Sequence, residues 1–362
     1  MKNCIQEFLE AIRNDDLPVF LYGCGAGALW YTKFMNKYNI HIEGIIDGKL
    51  NGEEKYEWND IKVMSLLHIS NMFTEAHMVI SAPAHRKEIK KILQNINNAK
   101  WHIYTFDPTI DILQGNTASE RLNYFKRHAH ELENFYHRLA DKKSKEVLTQ
   151  IVKGSLENDC DCYEMIAGES QYFPDFIVSN LTDEEIFLDA GAYTGDSISE
   201  FISMVHNKYS KIYAFEPDEM NMAIAKKEFK DDRIVFFEKG VGASEETLYF
   251  KNENNGADEG AHVVKEGSSY TASIQVVRID DVIEDKVTYI KMDIEGMELL
   301  ALKGAKRLIQ NYKPMLAISI YHRTDDVVQI PQYVINELNG EYKLYLRHYW
   351  SCNGTDTVLF AI

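Results

Sequence analysis

The sequence predicts an α/β protein with two successive sheets, each built mainly from parallel strands. Residues 1–108 and 184–362 both alternate short apolar runs with helical segments, and this alternation is typical of parallel βαβ units. In both stretches a glycine-rich loop follows an apolar run and precedes a helical segment. The chain has 362 residues, which is enough for two domains.

Composition and charge restrict the class of protein. Hydrophobic residues make up 45% of the chain and charged residues 26%, as in ordinary globular proteins. The net charge of −17 disfavours nucleic acid as a partner, because its phosphates are repelled. The N-terminus lacks the apolar core of a signal peptide, no run is long enough to cross a bilayer, and the five cysteines are scattered. We therefore expect a cytoplasmic protein without a membrane span.

Residues 1–108 are predicted to form the smaller Rossmann-like domain, with an accessory role. Its predicted strands and helices, in chain order, are a strand at 18–23, a helix at 26–38, strands at 42–47 and 76–83, a helix at 85–96 and a strand at 101–108. The loop in "VFLYGCGAGALW" carries Gly23, Gly25 and Gly27, and dinucleotide sites often begin in this way. Asp47 lies 22 residues after Gly25, which suits an acid that binds a ribose.

Three functions stay open for this first loop. It could hold the nicotinamide cofactor of an oxidoreductase or epimerase, although the domain is only about half of a full dinucleotide fold. It could bind a nucleotide-sugar through Gly23, Gly25 and Asp47. It could also belong to a non-catalytic module that docks a partner.

Residues 109–180 are predicted to form a helical connector or cap. Apolar residues recur at spacings of three and four over 118–154, and no strand pattern interrupts them. A polar segment at 155–176 then leads into the second domain. Its Cys160 and Cys162 are interpreted as unpaired thiols, because a structural zinc needs about four ligands.

Residues 181–362 are predicted to form the second domain. Its predicted elements comprise strands at 185–191, 211–217, 233–239, 287–293, 314–321, 342–350 and 356–362, helices at 195–208, 219–230, 297–311 and 327–338, and two hairpin-like strands at 246–252 and 273–282. The loop at 251–273 is either a plain hairpin connection or a lid over a substrate. Five parallel strands that end in an antiparallel hairpin are the layout of the Rossmann-like sheet of class I S-adenosylmethionine-dependent methyltransferases.

The second glycine loop, "FLDAGAYTGDS" at 187–197, carries an acid before its glycines. Asp189 is placed where a carboxylate can meet a ligand's ammonium group, and Gly191 and Gly195 let the backbone approach a ligand. The next strand ends at Glu216, 27 residues after Asp189, where an acid can bind a ribose diol. Together these features predict a site for a nucleoside cofactor that carries a positive charge.

These motifs resemble the FkbM family of S-adenosylmethionine-dependent methyltransferases. The similar stretches are "FLDAGAYTGDS", "AFEPD", "TYIKMDIEGMELLALKGA", "SIYH" and the closing "LYLRHYW" and "DTVLFAI", over about residues 181–362. The resemblance implies methyl transfer, usually to a hydroxyl of a sugar, polyketide or related small molecule. It also implies a cofactor site, whose residues by position are Asp189, Gly191, Tyr193, Gly195 and Asp196 on the methionine side, Glu216 at the ribose, and Gly240 and Val241 beside the adenine.

Three residues are candidates for the chemistry of methyl transfer to a hydroxyl. Asp293 ends a central strand at the edge where open α/β sheets bind ligands, and Glu295 follows it. His322 comes just after the next parallel strand and is a candidate base for the hydroxyl proton. Glu298 is expected mainly to stabilise a helix N-terminus, and His348 to be packed in a strand.

The sequence names neither the acceptor nor the oligomeric state. We expect a small-molecule or glycan acceptor, with S-adenosyl-L-methionine as the cofactor. No metal ligands are assigned, because the sequence shows no dedicated cage of carboxylates. A divalent metal in place of the base stays open.

Overall fold

The computed structural model describes residues 3–52, 55–96, 98–168, 170–251, 262–264, 272–338, 341–349 and 353–362. It divides into two compact units. The first unit comprises Met1–Ala129, Glu146–Ala167 and His348–Thr355, and the second comprises His130–Lys145, Gly168–Arg347 and Asp356–Ile362. Both units contain mainly parallel sheets, which confirms the predicted α/β class.

The first unit is built on a six-stranded sheet. Its strands are β1 (Val19–Tyr22), β2 (Gly44–Ile46), β3 (Lys55–Trp58), β4 (Ile61–Met64), β5 (Glu75–Ile80) and β6 (Lys100–Tyr104). Their order is β3-β4-β2-β1-β5-β6, and the neighbours are parallel except for β3 and β4. The antiparallel pair was not predicted. Its two-residue turn, Asn59 and Asp60, has φ values of 47° and 61°, which the tight turns of hairpins require.

Helices alternate with these strands and follow them along the chain. In chain order they are α1 (Cys4–Asn14), α2 (Ala26–Lys37), α3 (Leu66–Met72), α4 (Arg86–Gln94), α5 (Thr109–Leu113), α6 (Ala118–Arg127), α7 (Ala129–Arg138), α8 (Lys142–Glu157) and α9 (Cys160–Glu164), with a short 3₁₀ helix at Pro83–His85. Successive residues of β1 enter two separate apolar clusters, Leu21 with Phe34 and Phe20 with Met78. The sheet is therefore buried on both faces, as expected of parallel strands.

The segment predicted as a helical connector, residues 109–180, is largely helical. Its helices are divided between the two units, and the unit boundaries fall inside α7 and α8. The domain boundaries of the sequence analysis stay a prediction.

The second unit contains a seven-stranded sheet and a four-stranded sheet. Its strands are β7 (Ile186–Ala190), β8 (Lys211–Phe215), β9 (Ile234–Phe237), β10 (Gly240–Val241), β11 (Glu246–Lys251), β12 (His262–Val264), β13 (Ala272–Val277), β14 (Tyr289–Met292), β15 (Met315–Ser319), β16 (Leu344–His348) and β17 (Thr357–Ala361). Its helices are α10 (Asp175–Val178), α11 (Asp196–Met204), α12 (Glu219–Glu228), α13 (Ile279–Val282), α14 (Glu298–Gly304), α15 (Lys306–Tyr312) and α16 (Asp326–Glu337).

The seven-stranded sheet has the order β16-β17-β15-β14-β7-β8-β9. The five strands from β15 to β9 are parallel, and β17 runs antiparallel to β15. Lys343 and Ile362 exchange backbone hydrogen bonds of 2.8 and 3.1 Å beside the β16–β17 pair. This is the predicted arrangement of five parallel strands with a terminal antiparallel hairpin.

The insertion after β9 forms the second sheet of this unit, in the order β10-β13-β11-β12. The two predicted hairpin-like strands correspond to β11 and β13, which pair antiparallel. Most of the predicted loop or lid at 251–273 lies outside the described residues. In the part of the chain that the structure describes, no helix has the length and apolar character needed to span a bilayer.

The register of the parallel strands places the carboxyl ends of three strands side by side. Ala190 pairs with Phe215 of β8 on one side and with Met292 of β14 on the other. Gly191, Glu216 and Asp293, each the first residue after its strand, therefore emerge at the same edge of the sheet. Ligands of open α/β sheets bind at this edge.

Candidate active site

The second glycine loop is folded tightly against its neighbouring strands. The N–H groups of Gly191 and Ala192 both donate to the carbonyl of Phe215, at 2.9 and 3.0 Å. Gly191 has a φ of +83°, and a Cβ at this position would lie 1.9 Å from the Asp293 carbonyl oxygen. Only glycine fits this place in the loop, because both the backbone conformation and the space exclude a side chain.

Asp189 and Lys291 form a buried ion pair directly below this loop. The Nζ atom of Lys291 lies 3.0 Å from Oδ1 of Asp189, and it also donates to the Gly191 carbonyl. Ser197 donates a hydrogen bond to the other oxygen of Asp189. Burial lowers the pKa of Lys291, but the charges of Asp189 and Asp293 outweigh it and raise that pKa.

This pairing gives Asp189 a different role from the expected one. The sequence analysis placed its carboxylate against a cofactor's ammonium group, but the side chain is fully buried and Lys291 neutralises it. Asp189 lies within β7, two residues before Gly191, and Lys291 links it to the Gly191 carbonyl.

Glu216 lies at the sheet edge beside the loop and is 7% exposed. Its Oε2 accepts the N–H of Tyr193 and its Oε1 accepts the N–H of Asp218, each at 2.9 Å. Burial raises the pKa of this carboxyl. The two backbone bonds fix the orientation of the carboxylate, and each oxygen keeps a lone pair that can accept a hydroxyl group.

The remaining predicted cofactor residues lie on two segments. Tyr193 has a φ of +48° and an exposed side chain, Gly195 has a φ of +97° at the cap of α11, and Asp196 is the exposed first residue of that helix. Gly240 and Val241 form β10, which pairs with β13 in the four-stranded sheet, and the side chain of Val241 is buried. Contacts of these residues with a cofactor stay predictions.

A cluster of acids surrounds His322 at the next stretch of the same edge. Nδ1 of the imidazole lies 3.0 Å from Glu298, and Nε2 lies 3.4 Å from Asp293 and 3.5 Å from Glu295. Burial lowers the pKa of His322, but the surrounding carboxylates outweigh it and raise that pKa to about 9. The structure thus brings all three predicted catalytic residues together, with His322 as a cation at neutral pH.

Two tyrosines orient the carboxylate of Asp293. Tyr172 donates to Oδ2 at 2.6 Å and Tyr321 donates to Oδ1 at 3.2 Å. Burial raises the pKa of Asp293, but the positive charges of His322 and Lys291 outweigh it and lower that pKa. Asp293 is therefore an ionised, firmly held acceptor.

Glu298 shapes the loop that carries the other two acids. Its Oε1 accepts the N–H groups of Ile294 and Gly296, at 2.8 and 3.4 Å. The turn between them has left-handed backbone at Glu295 and Gly296, with φ values of 56° and 91°. The expected role at a helix N-terminus is thus only part of what Glu298 does.

Sequence reasoning missed Lys291, Tyr172 and Tyr321. Lys291 carried a signal, because a charged residue in the apolar run "YIKMD" needs a buried partner. Tyr172 lies 121 residues from Asp293 in sequence, and nothing in its local pattern indicates that contact.

The first glycine loop, in the first unit, owes two of its glycines to packing. A Cβ on Gly23 would lie 2.5 Å from Cβ of Ala82, and one on Gly27 would lie 2.6 Å from the Ser81 carbonyl oxygen. Among the three glycines of this loop, only Gly25 has no atom within 4 Å of the position that a Cβ would take. Asp47 accepts hydrogen bonds from the Tyr56 hydroxyl and the Lys49 N–H, at 3.0 and 2.9 Å. Close packing of a strand–helix turn explains Gly23 and Gly27 without a ligand.

His348, which was expected to be packed, is fully buried. Its ring lies 5.4 Å from that of Tyr163, within the first unit. It has no place in the acid cluster.

A solved structure shares this fold. The chain is similar to a methyltransferase FkbM from Methylobacillus flagellatus KT, with 23% identity, a TM-score of 0.72, and coverage of 96% of this chain and 90% of the other. An rRNA methylase from Streptococcus thermophilus is 16% identical, with a TM-score of 0.32 and coverage of 52% and 91%. A precorrin-6y C5,15-methyltransferase from Geobacter metallireducens GS-15 is 11% identical, with a TM-score of 0.30 and coverage of 54% and 90%. The last two similarities are too weak to support any inference.

The sequence itself matches a protein family. No curated protein matches it significantly. The family model described as the methyltransferase FkbM domain matches residues 189–349, which include the glycine loop, Glu216 and the acid cluster. Residues 189–349 of the chain are therefore similar to the methyltransferase domain of the FkbM family.

Proposed function

We propose that this protein is an S-adenosylmethionine-dependent O-methyltransferase whose acceptor is a hydroxyl of a sugar, a glycan precursor or a related small molecule. The observation that carries the proposal is the shared edge of β8, β7 and β14. Glu216, the Gly191 loop and the acid cluster around His322 emerge there from neighbouring strands. A nucleoside site and a set of proton acceptors thus lie next to each other.

The residues present fit the proposed cofactor. The Gly191 loop exposes backbone without a side chain, and Glu216 offers lone pairs on both oxygens to the hydroxyls of a ribose. Tyr193, Gly195 and Asp196 would contact the methionine part, and Gly240 and Val241 would lie near the adenine. Asp189 acts through Lys291, by holding the loop in place.

The chemistry requires an aligned hydroxyl and an acceptor for its proton. S-adenosylmethionine, when bound, supplies a methyl group on a positively charged sulfur. Asp293 is oriented by Tyr172 and is ionised, so it can accept a hydrogen bond from the acceptor hydroxyl. Glu295 takes the proton in this scheme, because its surroundings raise the pKa of its carboxyl and make it the more basic acid. Its side chain is 86% exposed, so the proton can pass on to solvent.

The proposed role of His322 is to position carboxylates, and it differs from the expected role as the catalytic base. A base must be unprotonated, and a pKa of about 9 leaves little neutral imidazole at pH 7. His322 instead holds the carboxylates of Asp293 and Glu295 at 3.4 and 3.5 Å from its Nε2.

Calorimetry of S-adenosylmethionine binding tests the cofactor assignment. We expect one site per chain and an affinity about tenfold lower in Glu216→Ala, since two hydroxyl hydrogen bonds are lost. Glu219→Ala, which removes an exposed carboxylate three residues later, is the matched control and should bind as the wild type does. Equal affinity in both variants would remove Glu216 from the site.

For the first loop we propose a nucleotide-sugar, held near Gly25 and Asp47. The open space at Gly25 supports it. Native mass spectrometry of the isolated protein would show a bound nucleotide-sugar as added mass, whereas bound nicotinamide dinucleotide would favour the oxidoreductase alternative. Protein without either ligand would support a docking module.

A further inference from the structure

Three side chains of the acid cluster converge in the manner of metal ligands. Asp293 follows β14, Glu298 opens α14 and His322 follows β15. Each offers one ligand atom, and these atoms all lie within 4.8 Å of one another. They come from two loops at adjacent parallel strands, which explains why their sequence spacing gave no sign of a shared site.

Buried polar atoms without partners point to a missing ligand at this place. The side chain of Glu298 is fully buried, and its Oε2 has no hydrogen-bond donor among the described residues. The imidazole of His322 is also buried. Neither of its nitrogens has an aligned hydrogen bond within the described part of the chain, although carboxylate oxygens lie 3.0 to 3.5 Å away. A buried polar atom without a partner is unfavourable, so a group that contacts all three would stabilise the site.

Charge and donor type identify that group. Two carboxylates in a buried position are neutralised by one divalent cation. Oxygen ligands alone would suit magnesium or calcium, whereas an added imidazole nitrogen favours manganese, iron or zinc. Hydrogen bonds from Tyr172 and Tyr321 hold Asp293, as outer partners commonly hold metal-ligating carboxylates.

We propose that Asp293, Glu298 and His322 bind one divalent transition-metal ion at the shared strand edge. Binding displaces the proton that the imidazole carries in the ion-free site, because only a neutral imidazole ligates a metal. Glu298 would ligate through Oε2, since Oε1 already accepts backbone N–H groups. Three protein ligands leave coordination positions open for water or for hydroxyls of an acceptor. The proposal does not rest on methyl transfer, because it concerns binding of the ion alone.

Electron paramagnetic resonance of Mn²⁺ added to the metal-stripped full-length protein tests this site. We expect one Mn²⁺ bound per chain, seen as loss of the free-ion signal, and an electron spin echo modulation from one coordinated imidazole nitrogen. Wild-type binding weaker than about 1 mM for Mn²⁺ and Zn²⁺ alike would overturn the proposal. Bound Mn²⁺ without the nitrogen modulation would overturn it equally.

Variants locate the ion. His322→Gln should abolish the nitrogen modulation, and Asp293→Asn should weaken Mn²⁺ binding by about a hundredfold. Asp159→Asn is the control, because Glu157, Asp159 and Cys162 form the other ligand-like group among the described residues. Circular dichroism confirms that each variant is folded. If Asp159→Asn loses the ion whereas His322→Gln and Asp293→Asn keep it, the assignment fails. Calorimetry of S-adenosylmethionine binding is a separate measurement and tests only the cofactor site.

Discussion

The Nζ atom of Lys291 lies 3.0 Å from Oδ1 of Asp189, and the two residues are direct neighbours in the register of β14 and β7. Both side chains are buried. Removal of one partner from such a pair leaves an uncompensated charge, which typically destabilises by about 3–5 kcal/mol.

Lys291→Met should therefore destabilise the second unit by about that amount. Hydrogen–deuterium exchange of peptides from β7 and β14 would report it as faster exchange. The double variant Asp189→Asn with Lys291→Met removes both charges of the pair and should regain most of the protection. If these peptides exchange as fast in the double variant as in Lys291→Met, the unpaired charge is not the cause of the destabilisation.

Gly191→Ala should abolish binding of S-adenosylmethionine. The added Cβ would lie 1.9 Å from the Asp293 carbonyl oxygen, so the loop must move away from its place above β14. Calorimetry measures the effect, with Gly25→Ala as the control because a Cβ there meets open space. Normal binding by Gly191→Ala would show that the cofactor does not depend on this loop conformation.

In the first unit, Gly27→Ala should be destabilising and Gly25→Ala neutral. The clash of a Cβ with the Ser81 carbonyl oxygen at 2.6 Å outweighs the helix propensity gained, and we expect a loss of about 2 kcal/mol. Trp30, Trp58 and Trp101 all lie in this unit, so their fluorescence during urea unfolding reports its stability. Equal loss in both variants would contradict the packing explanation for the loop.

As the pH rises from 4 to 6, ionisation of Asp107 should lower the free energy of unfolding of the first unit. Burial raises the pKa of this carboxyl from 3.8 to about 6, so the folded state binds the proton more tightly than the unfolded one. The loss of stability is absent below the pKa that Asp107 has in the unfolded chain. It grows as the pH rises to the pKa of Asp107 in the folded chain, and then stays at about 3 kcal/mol.

Urea unfolding followed by tryptophan fluorescence at pH 4.5 and pH 7 measures this difference. Asp107→Asn should show a smaller dependence on pH, even though it loses the hydrogen bond from the Gly354 N–H. Asp16→Asn, which changes an exposed carboxylate, should keep the wild-type dependence. Identical pH dependence in both variants would exclude Asp107 as the source.

The strand and helix pattern was readable from sequence because it depends on local periodicity. The five parallel strands followed from the alternation of strands and helices, and the terminal antiparallel hairpin from the helix-free connection before β17. The hairpin of β3 and β4 was not predicted, because its turn, Asn59 and Asp60, contains no glycine.

The site was predictable only in part, because side-chain partners depend on register and burial. Asp293, Glu295 and His322 were placed together correctly by the rule that parallel strands end at one edge. The partner of Asp189 was not predictable, since Lys291 reaches it across a strand pair 102 residues away. The charge of His322 was likewise hidden, because it follows from three acids that only the fold assembles.

The division into units also decides how this protein can be dissected. The chain passes from one unit to the other five times. A fragment that begins at residue 181 would lack Asp141 and Ser144, which bind the side chain of Arg347. It would also carry the Gly354 segment without Asp107, its partner in the first unit. Truncation at a single point therefore yields two incomplete pieces, and an exchange of units between relatives would have to transplant three separate segments at once.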